Sequence, residues 1–350
     1  MNLALTFDYE LFGDGSGDVI QHMIEPTEAI LGICEQHGIK TTIFFEVLEY
    51  LKIKEEWGKG NSMGYKRNPV QAIEKQVQQA ALSGHDIQLH LHPQWVQAEW
   101  TGTHWELDMD NWRLGDFSAE GWTIEKLLRE SKQALEELVR QAVPDYECTI
   151  LRAGAFNIMP SEAVWQAMKN VGLKADSSVY PGGYKSGSLS RYDYCSVSEE
   201  KDYWWGAEED LRKKGDTKEI MEIPVFALPQ RRIHKVLNVD KIKSILTGKR
   251  RKISSVAAEN LSSRGLFGKL TYLFGREAFT WDFCLFSNYL HKSYFRYIEN
   301  NLSDKRKAFV IIGHPKSYRS DRSLETLIHL AHKKDYQFMT LKEVYENFSD

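Results

Sequence analysis

Two carboxylates and two histidines stand at spacings that suit a metal ion. Asp8 and Glu10 lie two residues apart at the end of the apolar run Leu3-Ala4-Leu5-Thr6-Phe7, and His90 and His92 close a second run, Ile87-Gln88-Leu89-His90-Leu91-His92. Side chains alternate faces along a strand, so each pair shares one side while the apolar residues between them share the other. Two neutral imidazoles and one carboxylate make a three-ligand set with positions open for water and substrate, as in catalytic zinc or non-haem iron(II) sites. The second carboxylate is then left to act as a base. Either acid fits either role. The plainer alternative is that the histidines are hydrogen-bonded polar groups of a barrel interior and the acids cap the following loop.

The elements that must position these groups alternate along the chain. Strands are expected at 3–7, 41–45, 87–92, 148–151, 221–228, 309–312 and 337–341, where β-branched and aromatic residues cluster. Helical periodicity covers 70–82, 125–139, 161–170 and 324–333, and an earlier helix opens at Pro26-Thr27-Glu28 and stops at His37-Gly38. Sustained strand–helix–strand alternation implies parallel pairing with helical crossovers, in a (β/α) barrel or an open doubly wound sheet. In both, ligands gather at the carboxyl ends of the strands. Two stretches break the rhythm: a loop at 93–122 holding Trp95, Trp100, Trp105, Trp112 and Trp122, and a basic stretch at 230–288, which reads as a mainly helical insertion.

Five motifs then fall in order: Thr6-Phe7-Asp8-Tyr9-Glu10, Gly84 through His92, Leu151-Arg152-Ala153-Gly154, Asp176-Ser177-Ser178 and Ile311-Ile312-Gly313-His314. Together they resemble the motifs of the NodB-type polysaccharide deacetylases, carbohydrate esterase family four. The resemblance implies an α/β fold, a distorted (β/α)7 barrel forming one domain over 1–350, and metal-dependent hydrolysis of N-acetyl groups on sugars. It implies Asp8 as catalytic base, Glu10, His90 and His92 as metal ligands, and Arg152 as the residue that orients the base. Asp176 is implied to pair with His314, the acid that protonates the leaving amine, with Ile312 as its apolar neighbour. The family spaces its histidines four apart and has adjacent aspartates; His-x-His and Asp-x-Glu mark a divergent branch. Gly154 and Ala155 stand where proline and an aromatic residue are usual, so Phe156 is expected to take the aromatic, substrate-facing role one place late. Zn2+ is the expected ion, and Fe, Co or Ni suits the same ligands.

Composition narrows the remaining readings. Lys plus Arg total 45 against 49 Asp plus Glu in 350 residues, a net charge of −4, which argues against a protein that coats nucleic acid or an anionic membrane. No run approaches the ~18–20 apolar residues of a membrane span. The first residues carry no basic segment, apolar core or cleavage site, so a cytoplasmic location is expected. Cys34, Cys148, Cys195 and Cys284 are expected to be free, buried thiols. Trp95 is the ring expected to stack on a sugar, while most of the other tryptophans pack the loop. The run Lys249-Arg250-Arg251-Lys252 reads as a solvated helix face that could meet an anionic substrate such as a nucleotide- or lipid-diphosphate sugar. A carbohydrate is the expected partner, with oligomeric state open. Three alternatives remain: hydrolysis of a small non-sugar amide or ureide, a glycosidase using Asp8 with a second carboxylate, and a catalytically silent carbohydrate-binding protein.

Overall fold

Strand β1, Asn2–Tyr9, is buried from Leu3 onward on both faces, as a parallel strand covered by helices must be. It is the hub of the computed structural model, which describes residues 1–233 and 275–349. Around it run β2 (Thr42–Glu46), β3 (Asp86–Leu91), β4 (Ile150–Ala153), β5 (Ala175–Asp176) and β8 (Met221–Glu222), each parallel to the one before. A hairpin of β6 (Trp204–Ala207) and β7 (Asp210–Lys214) flanks β8 antiparallel to it. Past β8 the chain crosses to β11 (Ala308–Ile311): Ile223 and Val225 donate to Asp176 and Val179, and Phe226 donates to Val310 at 2.9 Å. Since β11 pairs with β1, the ring closes with seven parallel segments, one of them irregular. This is the distorted (β/α)7 barrel expected from the motifs.

Helices α1 (Glu25–Gln36), α2 (Val47–Gly58), α3 (Pro69–Leu82), α4 (Ile124–Arg140), α5 (Glu162–Val171), α6 (Asn288–Asn301), α7 (Arg322–His332) and α8 (Leu341–Ser349) accompany the strands. Local chemistry sets their ends. Thr123 caps α4 through Lys126 N, Asn68 caps α3 ahead of Pro69, and α5 stops at Gly172 with φ of 78°. Helices α2, α6 and α8 went unread in the sequence. The first follows β2 without a break, its cap being Glu46, the last strand residue.

The insertion at 230–288 needs redrawing at both ends. Strand β9 (Ala227–Arg231) pairs antiparallel with β10 (Arg276–Thr280), and Asp282 bridges Ile312 of the barrel. Residues 281–283 therefore join the barrel wall, and β9 with β10 forms a two-stranded sheet of its own beside it. Residues 234–274, including Lys249–Lys252, lie outside the described residues. Of the cysteines, Cys34 and Cys148 are buried as expected, Cys284 is half-buried and Cys195 is exposed, and none is in a disulfide. No helix among the described residues is long and apolar enough to cross a membrane.

Candidate metal and acid–base centre

The carboxyl ends of β1, β2, β3 and β4 meet over one buried space. His90 Nδ1 lies 2.8 Å from the carbonyl oxygen of Arg152, which can only accept, so Nδ1 carries the proton. In the neutral ring Nε2 turns a lone pair inward, and that buried atom has no hydrogen-bond partner. Around it stand Glu10 Oε2 at 3.7 Å and Asp8 Oδ2 at 3.9 Å. His92 Nδ1 lies 2.9 Å from Glu46 Oε2 and 3.1 Å from Glu10 Oε2. One ligand atom from each of Glu10, Glu46, His90 and His92 falls within 4.8 Å of the others. An orphaned imidazole nitrogen among carboxylates is what a divalent cation would satisfy, and the mixed N/O donors suit zinc or its neighbours.

Electrostatics points the same way. Burial lowers the pKa of His90, yet Asp8 and Glu10 outweigh it and push the imidazole up to about 9. The site thus draws positive charge to this spot. Burial would raise Glu10, but Lys316, His92 and His90 hold it well below the usual carboxylate range. Lys316 Nζ donates to Glu10 Oε1 at 2.7 Å and to the Leu11 carbonyl at 2.7 Å, leaving Oε2 to face the histidines. Glu49 differs: burial, Glu46 and Glu10 raise it well above the ordinary value, while both its oxygens face Leu11 N.

Asp8 and its partners form the second half. Arg152 is fully buried and donates through Nη1 to Asp8 Oδ1 and to Thr6 Oγ1, each at 2.9 Å. It donates through Nε to the Ser177 carbonyl at 3.0 Å, and its guanidinium lies 3.9 Å from the Phe44 ring centroid. Burial pulls the Asp8 pKa up, and His90, Arg152 and His314 together bring it below the ordinary value. His314 Nε2 faces Asp8 Oδ2 at 3.6 Å, and its Nδ1 meets Asp282 Oδ2 at 3.2 Å. Asp282 is fixed in turn by Cys284 N and Leu285 N.

Two expected roles need correction. Asp176 does not pair with His314. Its oxygens accept from Ser178 N and Ser178 Oγ, both at 2.7 Å, and it stands directly opposite Glu222 in the β5–β8 register. With its lone pairs used inside the wall, Asp176 contributes charge beneath Arg152, and Asp282 holds the histidine. Trp95 is 1 % exposed and packs edge-on against Trp105 at 5.3 Å, so no ring face remains for a sugar. Trp112 packs edge-on against His92 at 5.8 Å and covers the cluster from the same loop. Phe156 lines a cavity of about 730 Å³ together with Tyr180, Tyr192, Phe279, Asp282 and His314.

No protein-family profile and no curated protein sequence matches the chain. Solved structures do. The Puue allantoinase aligns at 11 % identity and a TM-score of 0.49, covering 99 % of this chain and 89 % of that one. A probable polysaccharide deacetylase from Pseudomonas aeruginosa aligns at 11 % identity and 0.49, covering 100 % and 92 %. A polysaccharide deacetylase from Bacillus cereus aligns at 13 % identity and 0.39, covering 97 % and 91 %. All three are distant, and the chemistry is read from the site itself.

The turn after β4 sets the fit of the cluster. A Cβ on Gly154 would lie 2.4 Å from the His92 ring, so only glycine lets the imidazole sit there. Ala155 and Phe156 follow with φ of 49° and 61°, left-handed values that cost of order 1–3 kcal/mol each in non-glycine residues. Tyr194 Oη holds the turn by donating to the Phe156 carbonyl at 2.6 Å. Gly154→Ala is expected to displace His92, weaken Zn2+ binding measured by competition with a chromophoric chelator, and cost about 1–3 kcal/mol in urea unfolding. Unchanged ion affinity would mean that His92 is not a ligand.

Three members escaped sequence reasoning. Glu46 sits at the carboxyl end of β2, and the alternation rule that found Asp8 would have found it had the strand been read one residue longer. Asp282 is the lone acid of Trp281-Asp282-Phe283-Cys284, inside the stretch 230–288 that reads as an insertion. Lys316 had no signal beyond its place two residues after His314.

Proposed function

We propose that this chain is a metal-dependent hydrolase of the NodB type that removes an N-acetyl group from a sugar. The observation that carries the reading is the partnerless Nε2 of His90, ringed by carboxylates and flanked by the Arg152–Asp8 and Asp282–His314 pairs. His90, His92 and Glu10 would hold the ion, with Glu46 as a fourth ligand or as the acceptor that orients His92. When bound, a divalent cation polarises the amide carbonyl and acidifies water.

The chain's own groups do the proton work. Arg152 occupies Asp8 Oδ1, which leaves Oδ2 to take a proton from the attacking water. His314, on the other side of Oδ2, presents Nε2 to the leaving nitrogen and supplies the proton that lets the C–N bond break. Asp282 keeps Nδ1 protonated and the ring oriented. Acetate and a free amine result. The volume beside His314 suits a sugar with further groups attached better than a small ureide.

The test is metal content and acetate release measured together. Purified protein should bind one Zn2+ or Co2+ per chain, release acetate from N-acetylglucosamine oligomers or conjugates, and lose both with a chelator. His90→Ala should bind no ion. Full activity in the metal-free protein would sink the reading.

The alkaline limb of the rate profile tests His314 on its own. Burial lowers its pKa, but the Asp282 hydrogen bond and the Asp8 charge win and raise it above the ordinary histidine value. The proton-donating form therefore persists above that value and is lost as pH rises through the raised one. Asp282→Asn removes the largest raising influence, so the alkaline limb of kcat should move to lower pH while ion affinity stays unchanged. An unmoved limb would remove His314 as the donor.

A further inference from the structure

The cavity beside His314 leads away from the reaction centre toward a basic end. Strand β10 forms one wall, and from Asp282 back to Arg276 the chain runs six residues. At ~3.3 Å per extended residue, Arg276 lies about 20 Å along the strand from the acid–base pair. In the β9–β10 ladder Arg231 stands directly opposite Arg276. Like charges directly opposite each other destabilise a ribbon, so this pairing is unfavourable unless an anion lies between or over the two. Lys185, on the ribbon Tyr184–Ser186, lines the same cavity.

The acids that line the cavity are engaged: Glu277 accepts from Arg232 at 2.8 Å, and Asp282 meets His314. Among the described residues Arg276 and Lys185 face no such acid. Between the basic end and His314 the walls are aromatic and apolar, with Phe156, Tyr180, Tyr192 and Phe279. Such walls suit a sugar ring, and a guanidinium pair suits phosphate oxygens, which it grips in a planar fork.

We propose that the cleft binds an N-acetylated sugar carrying a phosphate or diphosphate group, with the sugar beside His314 and the phosphate on Arg276 and Lys185 of the lining and on Arg231, which stands opposite Arg276 at the rim and is not part of the lining. This rests on the deacetylase reading for the sugar end and on the ribbon alone for the anionic end. The ligand's phosphate relieves the Arg231–Arg276 repulsion, so affinity falls with added salt.

The experiment is calorimetric binding to full-length Asp8→Asn protein at low and high salt. The probes are N-acetylglucosamine 1-phosphate, UDP-N-acetylglucosamine, inorganic pyrophosphate and chitotriose. Phosphorylated sugars should bind at least about tenfold more tightly than chitotriose, and an Arg231→Ser/Arg276→Ser double substitution should erase that advantage. Both arginines are exposed, so the fold tolerates the change. Tighter binding of the UDP conjugate than of the 1-phosphate identifies a diphosphate, and the reverse a monoester. Equal or tighter binding of chitotriose, no binding of any phosphorylated sugar, or indifference to the double substitution overturns the proposal. Acetate release from chitotriose alongside such a failure leaves the deacetylase reading intact. Arginine-dependent phosphosugar binding with no acetate release by the unsubstituted enzyme from any probe keeps the subsite and removes the deacetylase.

Discussion

Asp8→Asn should lower kcat by about 10²–10⁴-fold and leave one ion bound per chain. The substitution preserves shape, and the amide oxygen can still accept from Arg152 where Oδ1 does now. What disappears is the basic oxygen between His314 and the ion's ligands, and with it the acceptor for water's proton. The ligand atoms of His90, His92, Glu10 and Glu46 are untouched. Metal analysis and acetate release on the same preparation read both effects. The mirror experiment is Glu10→Gln, expected to weaken ion binding before anything else. If Asp8→Asn empties the site and Glu10→Gln does not, the two acids have exchanged roles.

Arg152→Met should cost about 3–5 kcal/mol in urea unfolding and suppress turnover as well. The guanidinium is wholly buried and serves Asp8, Thr6, the Ser177 carbonyl and, at 3.2 Å, Ser177 Oγ. Methionine fills much of the volume yet leaves Asp8 a buried anion without its cation. Beneath it, Asp176 and Glu222 lose the charge that Arg152 lends them. Burial and Asp176 already raise Glu222 well above the ordinary value, so this pair is short of positive charge even with the arginine present. Arg152→Lys should recover little, because one ammonium cannot serve the acceptors the planar fork reaches. A loss under about 1 kcal/mol for Arg152→Met would show that the arginine is not the cation on which the barrel interior depends.

Much of the centre was legible because strand geometry is strict. Alternation alone put Asp8 beside Glu10 and His90 beside His92, and the parallel barrel brought the strand ends together as expected. The ordered motifs pointed to Arg152 and His314, which the structure brings to opposite oxygens of Asp8. Partner choice was not legible. Whether His314 meets Asp176 or Asp282 depends on which wall its ring turns toward, and a chain separation of 32 residues says nothing about that. Trp95 failed for a related reason: an aromatic residue in a loop over a site can present its face or bury it, and Trp105 decided the matter. Glu46 shows the cost of a boundary error, since one residue at the end of β2 is both a helix cap and a member of the metal cluster.

The seam where Phe226 and Val225 meet Val310 joins the wall through an isolated bridge, whereas β1, β2 and β3 are sewn by full ladders. Asp282 hangs from Ile312 on that side, and His314 follows two residues later. Amide protons there should trade with deuterium sooner than those of β1–β3. Loosening of that seam would reach Asp282 first, while His314 stays tied to the cation's cage by the β11–β1 ladder and by Asp8 N, which donates to the Gly313 carbonyl at 3.0 Å.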